Sequence, residues 1–239
     1  MEIVIGVFLL AGFIKGVIGL GLPTIAMGLL SITMEPIIAA SLLIIPSFVT
    51  NIWQLCIGPK FGVLIKRFWP FIVGVFIGTF FSFLPPLTSD SSWTLPSLGV
   101  MLSIYGIWGI TAKRLPVINR HSEKKLSPII GYLTGVITTA TGVFVIPAVP
   151  YLQSLQLNKD ELIQTLGLAF TGSTIALAIQ LLLSQQLGGI NYLLSAIALI
   201  PAIIGMYIGQ YLRSRISEIM FRRCFFAGLI LLGSYMTLE

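Results

Sequence analysis

Thr138-Thr139-Ala140-Thr141-Gly142-Val143-Phe144-Val145-Ile146-Pro147 lies inside an uncharged block that runs from residue 127 to residue 157. A helix rises about 1.5 Å per residue, so about 20 residues cross the roughly 30 Å hydrocarbon core of a bilayer. The block is about 30 residues long, too long for one plain crossing. Proline removes a backbone donor and clashes with the preceding turn, and glycine permits non-helical dihedrals. The block therefore predicts two half-helices joined by an unwound stretch, with Pro147 as a structural break.

The N-terminus carries a second block of this kind. Residues 3–33 are again about 30 in number and are interrupted by Gly16-Val17-Ile18-Gly19-Leu20-Gly21-Leu22-Pro23. Six further apolar blocks, at 37–58, 67–87, 94–112, 162–184, 190–212 and 219–238, are each close to the length of one crossing. Of the 239 residues, 56% are apolar and 9% charged, against about 25% charged in a soluble domain. With a mean hydropathy of +1.00, the chain reads as an all-α polytopic membrane protein. No polar segment is long enough to fold separately.

The net charge of +6 and pI near 9.5 would suit nucleic acid, but the basic residues flank apolar spans, the usual orientation signal for insertion. Nucleic acid is not expected as a partner; the bilayer is. Cys56 and Cys224 have neither metal nor disulfide spacing, and their apolar surroundings predict small buried hydrophobes. Met1-Glu2-Ile3-Val4 lacks a basic leader region, so the first block is expected to stay in the mature protein.

The two halves repeat. Gly12-Phe-Ile-Lys-Gly16-Val-Ile resembles Gly131-Tyr-Leu-Thr-Gly135-Val-Ile, 119 residues on, and Pro70, Gly74 and Gly78 recur as Pro201, Gly205 and Gly209 at a spacing of 131. The polar entry at Glu35 has its counterpart at Asp160. The expected organisation is a first membrane repeat over 1–112, a basic cytoplasmic loop over 113–126 and a second membrane repeat over 127–239. Small residues at helix contacts would produce some of this pattern in any bundle.

Basic residues orient the repeats. With eight single crossings the repeats are parallel. Lys60, Lys66, Arg67, Lys113, Arg114, Arg120, Lys124 and Lys125 then share one side, and Lys159, Arg213, Arg215, Arg222 and Arg223 the other. If each long block is instead a hairpin, each half has three crossings and the second is inverted. All thirteen then fall on the cytoplasmic side, opposite Glu2, Glu35, Asp90 and Glu239. The inverted arrangement is the expectation, with eight spans in parallel repeats as the alternative. Broken helices at corresponding positions of two halves point to a transporter binding site, and half-helix dipole ends favour an anion.

At these breaks the chain resembles the TauE/SafE family of sulfite and organosulfonate exporters. The first half carries Gly16-Val-Ile-Gly19-Leu-Gly21-Leu-Pro23. The second carries Thr138-Thr-Ala-Thr141-Gly142-Val-Phe-Val-Ile-Pro147-Ala-Val-Pro-Tyr151-Leu-Gln and continues through Asn158-Lys159-Asp160-Glu161-Leu162-Ile163-Gln164. Leu20 and Leu22 interrupt what is often a fuller glycine run. The resemblance spans nearly the whole chain and implies export of small sulfur-containing anions across the cell membrane.

Lys15 is the one charge well inside an apolar block. It is either an anion ligand beside the break or a side chain that snorkels to the interface. Thr138, Thr139 and Thr141 either donate to an anion or satisfy carbonyls freed by unwinding, and Thr24 plays the same part in the first half. With Gly16, Gly19, Gly21, Gly142 and Asn51 they form the candidate substrate-binding set, and Pro23 and Pro147 the structural breaks. Gln54, Thr171, Ser173 and Thr174 are explained by interhelical hydrogen bonds, and Gln164 by a cap near the cytoplasmic mouth. No Asp or Glu falls mid-membrane, so coupling is either uniport or carried by a titrating substrate such as bisulfite. His121 belongs to the basic loop. No phosphate loop, metal spacing or cofactor motif occurs. Buried serines without a buried base give no catalytic residue. A secondary transporter working by alternating access is the expected function; an anion channel and an intramembrane enzyme are the alternatives.

Overall fold

The computed structural model describes residues 1–89, 93–112, 116–184, 192–215 and 217–238. Among them every regular element is an α-helix: α1 (Glu2–Ile18), α2 (Leu22–Leu30), α3 (Pro36–Ile57), α4 (Phe61–Phe80), α5 (Thr94–Thr111), α6 (Arg120–Thr141), α7 (Ala148–Gln153), α8 (Lys159–Leu183), α9 (Tyr192–Leu212) and α10 (Glu218–Leu238). Six of these, α3, α4, α5, α8, α9 and α10, are long and apolar enough to cross a membrane. Large apolar side chains such as Trp69, Ile77, Ile200 and Tyr207 stand exposed on them. A soluble protein rarely displays apolar surface on this scale; in lipid it is the solvated face.

Both long blocks are broken, but not in the same manner. α1 ends where Gly19 takes φ 79°, its N–H donating to the Lys15 carbonyl at 2.8 Å. Gly21, at φ 106°, then precedes α2, so two left-handed residues within three positions turn the chain. Pro23 is not in the break itself. It sits in the first turn of α2, where a missing N–H costs nothing. In the second block α6 runs on through Thr138, Thr139 and Thr141 and stops at Gly142, φ 71°. The break is Gly142–Pro147 alone; the threonines belong to the helix before it. α6 also starts earlier than expected. Asn119 accepts a hydrogen bond from the Ser122 N–H at 2.9 Å, and the helix covers 120–126. That N-cap turns the second part of the expected loop into helix. Lys113, Arg114, Asp90 and Glu239 lie outside the described residues.

The chain divides into two compact units that do not follow the sequential halves. One comprises 1–46, 90–113 and 188–239; the other comprises 47–89 and 114–187. In the first, α1 lies against α9 and α5 against α10. A β-carbon built on Gly12 would strike the Ala202 carbonyl, and one on Gly16 that of Met206; Gly205 and Gly209 meet Leu9 and Phe13 in the same way. The register rises along both chains together, so α1 and α9 run parallel at backbone contact. α5 and α10 run antiparallel, since Gly99 faces Gly233 and Gly106 faces Phe226. α2 runs in the direction of α10: Gly21 packs on Phe225 and Gly28 on Leu232.

The second unit repeats the glycine device with different helices. Gly131 and Gly135 on α6 press on the carbonyls of Phe71 and Val75, and Gly74 and Gly78 on α4 on those of Pro128 and Tyr132. These two helices are also parallel. Beyond Gly142 the chain doubles back along α6. Tyr151 Oη donates to Ser127 Oγ at 3.0 Å and to the Glu123 carbonyl at 3.3 Å, and the Ile118 N–H donates to the Ser154 carbonyl at 3.0 Å. The broken block thus enters and leaves this unit at one end.

Cys56 and Cys224 are both exposed, not buried as expected. Apolar sequence neighbours in a membrane helix are as compatible with a lipid-facing position as with a protein interior.

Candidate functional site

Each break has its own polar lining, and the two linings lie in different compact units. At the first, Lys15 occupies the last turn of α1 and is 3% exposed. A cation there complements the carbonyl end of the helix dipole. Its burial disfavours the snorkelling alternative, which needs the ammonium in water. Thr24, in the first turn of α2, is fully buried and its Oγ1 has no hydrogen-bond partner. The leading N–H groups of α2, like those of any helix start, lack an intrahelical acceptor. Lys15, Gly19, Gly21, Pro23 and Thr24 therefore follow one another along the chain from the last turn of α1 to the first turn of α2. Gly16 lies one residue beyond Lys15 in α1, and its missing side chain makes the contact with α9.

At the second break the three threonines separate by role. Thr138 Oγ1 donates to the Thr134 carbonyl at 2.7 Å. Thr141 Oγ1 donates to the Ile137 carbonyl at 2.7 Å and accepts the Val143 N–H at 3.2 Å, bracing the point where α6 ends. Both hydroxyls serve their own backbone. Thr139 differs: its side chain is fully buried, its Oγ1 has no partner, and its carbonyl accepts the Leu87 N–H at 2.8 Å from the segment after α4. A buried hydroxyl without a partner costs free energy, so Thr139 is the threonine available to a ligand. Gly142 supplies the left-handed cap, and Pro147 forms a cis peptide with Ile146 at the start of α7.

In the same unit as Thr139, α3 contributes Asn51, fully buried where Gly167 of α8 comes against its carbonyl. Ser173 on α8 and Ser47 on α3 are also buried, with unpartnered hydroxyls. Ser47 was missed in the sequence. The neighbouring Pro46, inside a helix, is no sign of it, because the carbonyl that proline frees, that of Leu42, accepts from Ser195 Oγ at 2.9 Å.

Gln164 is a cap. Its Nε2 donates to the carbonyls of Leu55 and Gly58, each at 2.8 Å, and its Oε1 accepts the Lys60 N–H at 3.2 Å. The amide thereby satisfies the C-terminal end of α3. Gln54 answers by donating to the Ile163 carbonyl at 2.9 Å. Two ion pairs complete this end of the unit: Lys60 with Glu161, and Arg67 bidentate to Glu123 through Nε at 2.6 Å and Nη2 at 2.7 Å. Among the described residues no cluster of three or more His, Cys, Asp or Glu could hold a metal.

A polytopic helical membrane protein with glycine-turned breaks near the start of each half, a buried lysine at one and a buried free hydroxyl at each, has the construction of a membrane transporter. The chain belongs to the sulfite exporter TauE/SafE family, whose profile matches residues 4–236. No curated protein and no solved structure gave a match.

Proposed function

We propose that this protein exports small sulfur-containing anions, sulfite or sulfonates, across the cytoplasmic membrane by alternating access, with Lys15 and Thr24 as ligands at the first break and Thr139 as a ligand at the second. The observation that carries this is the polar lining of the breaks: a buried lysine and a buried unpartnered hydroxyl at the first, a second such hydroxyl at the other. Lysine is a compact cation suited to a sulfo oxygen, and the hydroxyls are donors. Among the described residues, the one buried carboxylate, Glu123, is held by Arg67, which favours uniport or a proton carried by the substrate.

The inverted-repeat architecture is part of the proposal. If each long block doubles back, each half crosses three times and the corresponding helices of the two halves run in opposite senses. The antiparallel packing of α5 and α10, the last helices of the halves, supports this. Eight single crossings require these two helices to be parallel.

Reconstituted protein should show saturable sulfite flux and counterflow, and Lys15→Ala should abolish both while the protein stays folded. Non-saturating flux would favour a channel, and wild-type flux from Lys15→Ala would remove Lys15 from the site. Proton flux accompanying a sulfonate that does not titrate would sink the substrate-borne coupling. In a background lacking Cys56 and Cys224, single cysteines beside Glu35 and Lys159 should label from opposite sides. Labelling of both from outside would overturn the topology.

A further inference from the structure

In the second compact unit the start of α4 and the start of α6 enclose a cavity of about 540 Å³ whose lining includes Val63, Lys66, Trp69, Arg120 and Lys124, with the Arg67–Glu123 pair at its wall. The lone carboxylate is consumed by both nitrogens of the Arg67 fork. Lys66, Arg120 and Lys124 are exposed and make no ion pair among the described residues. The cavity therefore carries three uncompensated cations on a rigid, salt-bridged base.

Its other wall is apolar. Val63 is 61% and Trp69 59% exposed, on a helix long and apolar enough to span. Trp69 follows directly on Lys66, Arg67 and Phe68, where the basic part of α4 gives way to an uncharged stretch, and tryptophan at such a polar–apolar boundary marks the level of the lipid headgroups. A free inorganic anion would use the cations and leave the indole and Val63 without a role. A phospholipid uses both, the phosphate among the basic side chains and the glycerol and upper acyl chain along Val63, Trp69 and Pro70. We propose that this cavity is a binding site for the headgroup of an anionic phospholipid. Because the two helices whose ends form it are locked together through Gly74, Gly78, Gly131 and Gly135, an occupant there would brace the unit that holds the second break.

The test is native mass spectrometry of the full-length protein in detergent, titrated with phosphatidylglycerol and with phosphatidylcholine. Each basic residue near an anionic headgroup is worth roughly a fivefold change in affinity, so the wild type should prefer phosphatidylglycerol by up to about 100-fold and K66Q/R120Q/K124Q should lose most of that preference. R213Q/R215Q/R223Q removes the same charge elsewhere and should keep it. Equal loss in both triple variants would overturn the site in favour of diffuse attraction. Displacement of bound phosphatidylglycerol by equimolar inorganic phosphate would overturn the lipid assignment in favour of a free-anion site. If the first triple variant does not fold, R120Q alone should still reduce the preference roughly fivefold, and an unchanged preference would overturn the proposal.

Discussion

Gly16 and Gly209 meet backbone to backbone: a β-carbon built on Gly209 would lie 3.0 Å from the Gly16 Cα, and one built on Gly16 would lie 2.9 Å from the Gly209 Cα. Neither position has room for a side chain, because the obstacle on each side is main chain. Gly209→Val should therefore cost about 3 kcal/mol, the upper end of overpacking penalties, and lower the thermal midpoint in detergent. Gly228→Ala, inside α10 where a β-carbon meets nothing within 4 Å, is the control and should leave the midpoint unchanged or raise it slightly, since alanine favours a helix interior.

The Arg67–Glu123 pair predicts an asymmetry between single and double variants. Glu123→Gln leaves a partly exposed guanidinium without its carboxylate; breaking a fully buried pair from one side costs about 3–5 kcal/mol, and solvent at Arg67 brings the loss below that. Replacing both, as Arg67→Met with Glu123→Leu, should recover much of the loss. Thermal melts of the four proteins in one detergent provide the cycle. Equal destabilisation by the single and the double variant would contradict the account.

Gln164→Ala should free the carbonyls of Leu55 and Gly58 and the Lys60 N–H at once. At about 1 kcal/mol for each hydrogen bond lost, the effect is local and about 2–3 kcal/mol. Hydrogen exchange should quicken at residues 55–60 and not along α6, which the amide does not touch.

Thr138 and Thr139 are adjacent and chemically identical, yet only Thr139 has a hydroxyl without a partner. Thr139→Val should leave stability unchanged or raise it slightly, since it removes an unsatisfied buried group, while reducing sulfite flux at least about tenfold, the effect of losing one ligand hydrogen bond worth roughly 1.4 kcal/mol. Thr138→Val should do little to flux. Flux measured in proteoliposomes at matched incorporation separates the two.

Much of this architecture was legible because lipid imposes simple rules. Two blocks too long for one crossing, each with glycines in the middle, announced the breaks around Gly19–Gly21 and Gly142–Pro147. The paired glycines at 12, 16, 131, 135, 74, 78, 205 and 209 read as a repeat, with close helix contact as the competing explanation, and all eight lie at such contacts. Which helices they joined was not legible, because an identical small-residue pattern fits any partner of matching register. The exact start of α6 was hidden by its charged first turns, which hydropathy assigns to loop although Asn119 caps them. The exposure of Cys56 and Cys224 was hidden for the opposite reason: in a membrane protein apolarity marks both the interior and the lipid face. The different fates of Thr138, Thr139 and Thr141 depend on which hydroxyls their own helix already occupies, and composition carries no trace of that.

The exchange of helices between sequential halves sets the timetable of synthesis. The unit made from 47–89 and 114–187 has its last segment in hand once residue 187 has left the ribosome. The other unit must hold α1 until α9 arrives some 190 residues later. Until then the Gly12–Gly16 face of α1 waits in the membrane for its mate. A nascent chain stalled before α9 should present that bare glycine seam to whatever insertion factor or stray helix is nearby, which makes α1 a point where biogenesis of this transporter is exposed to error.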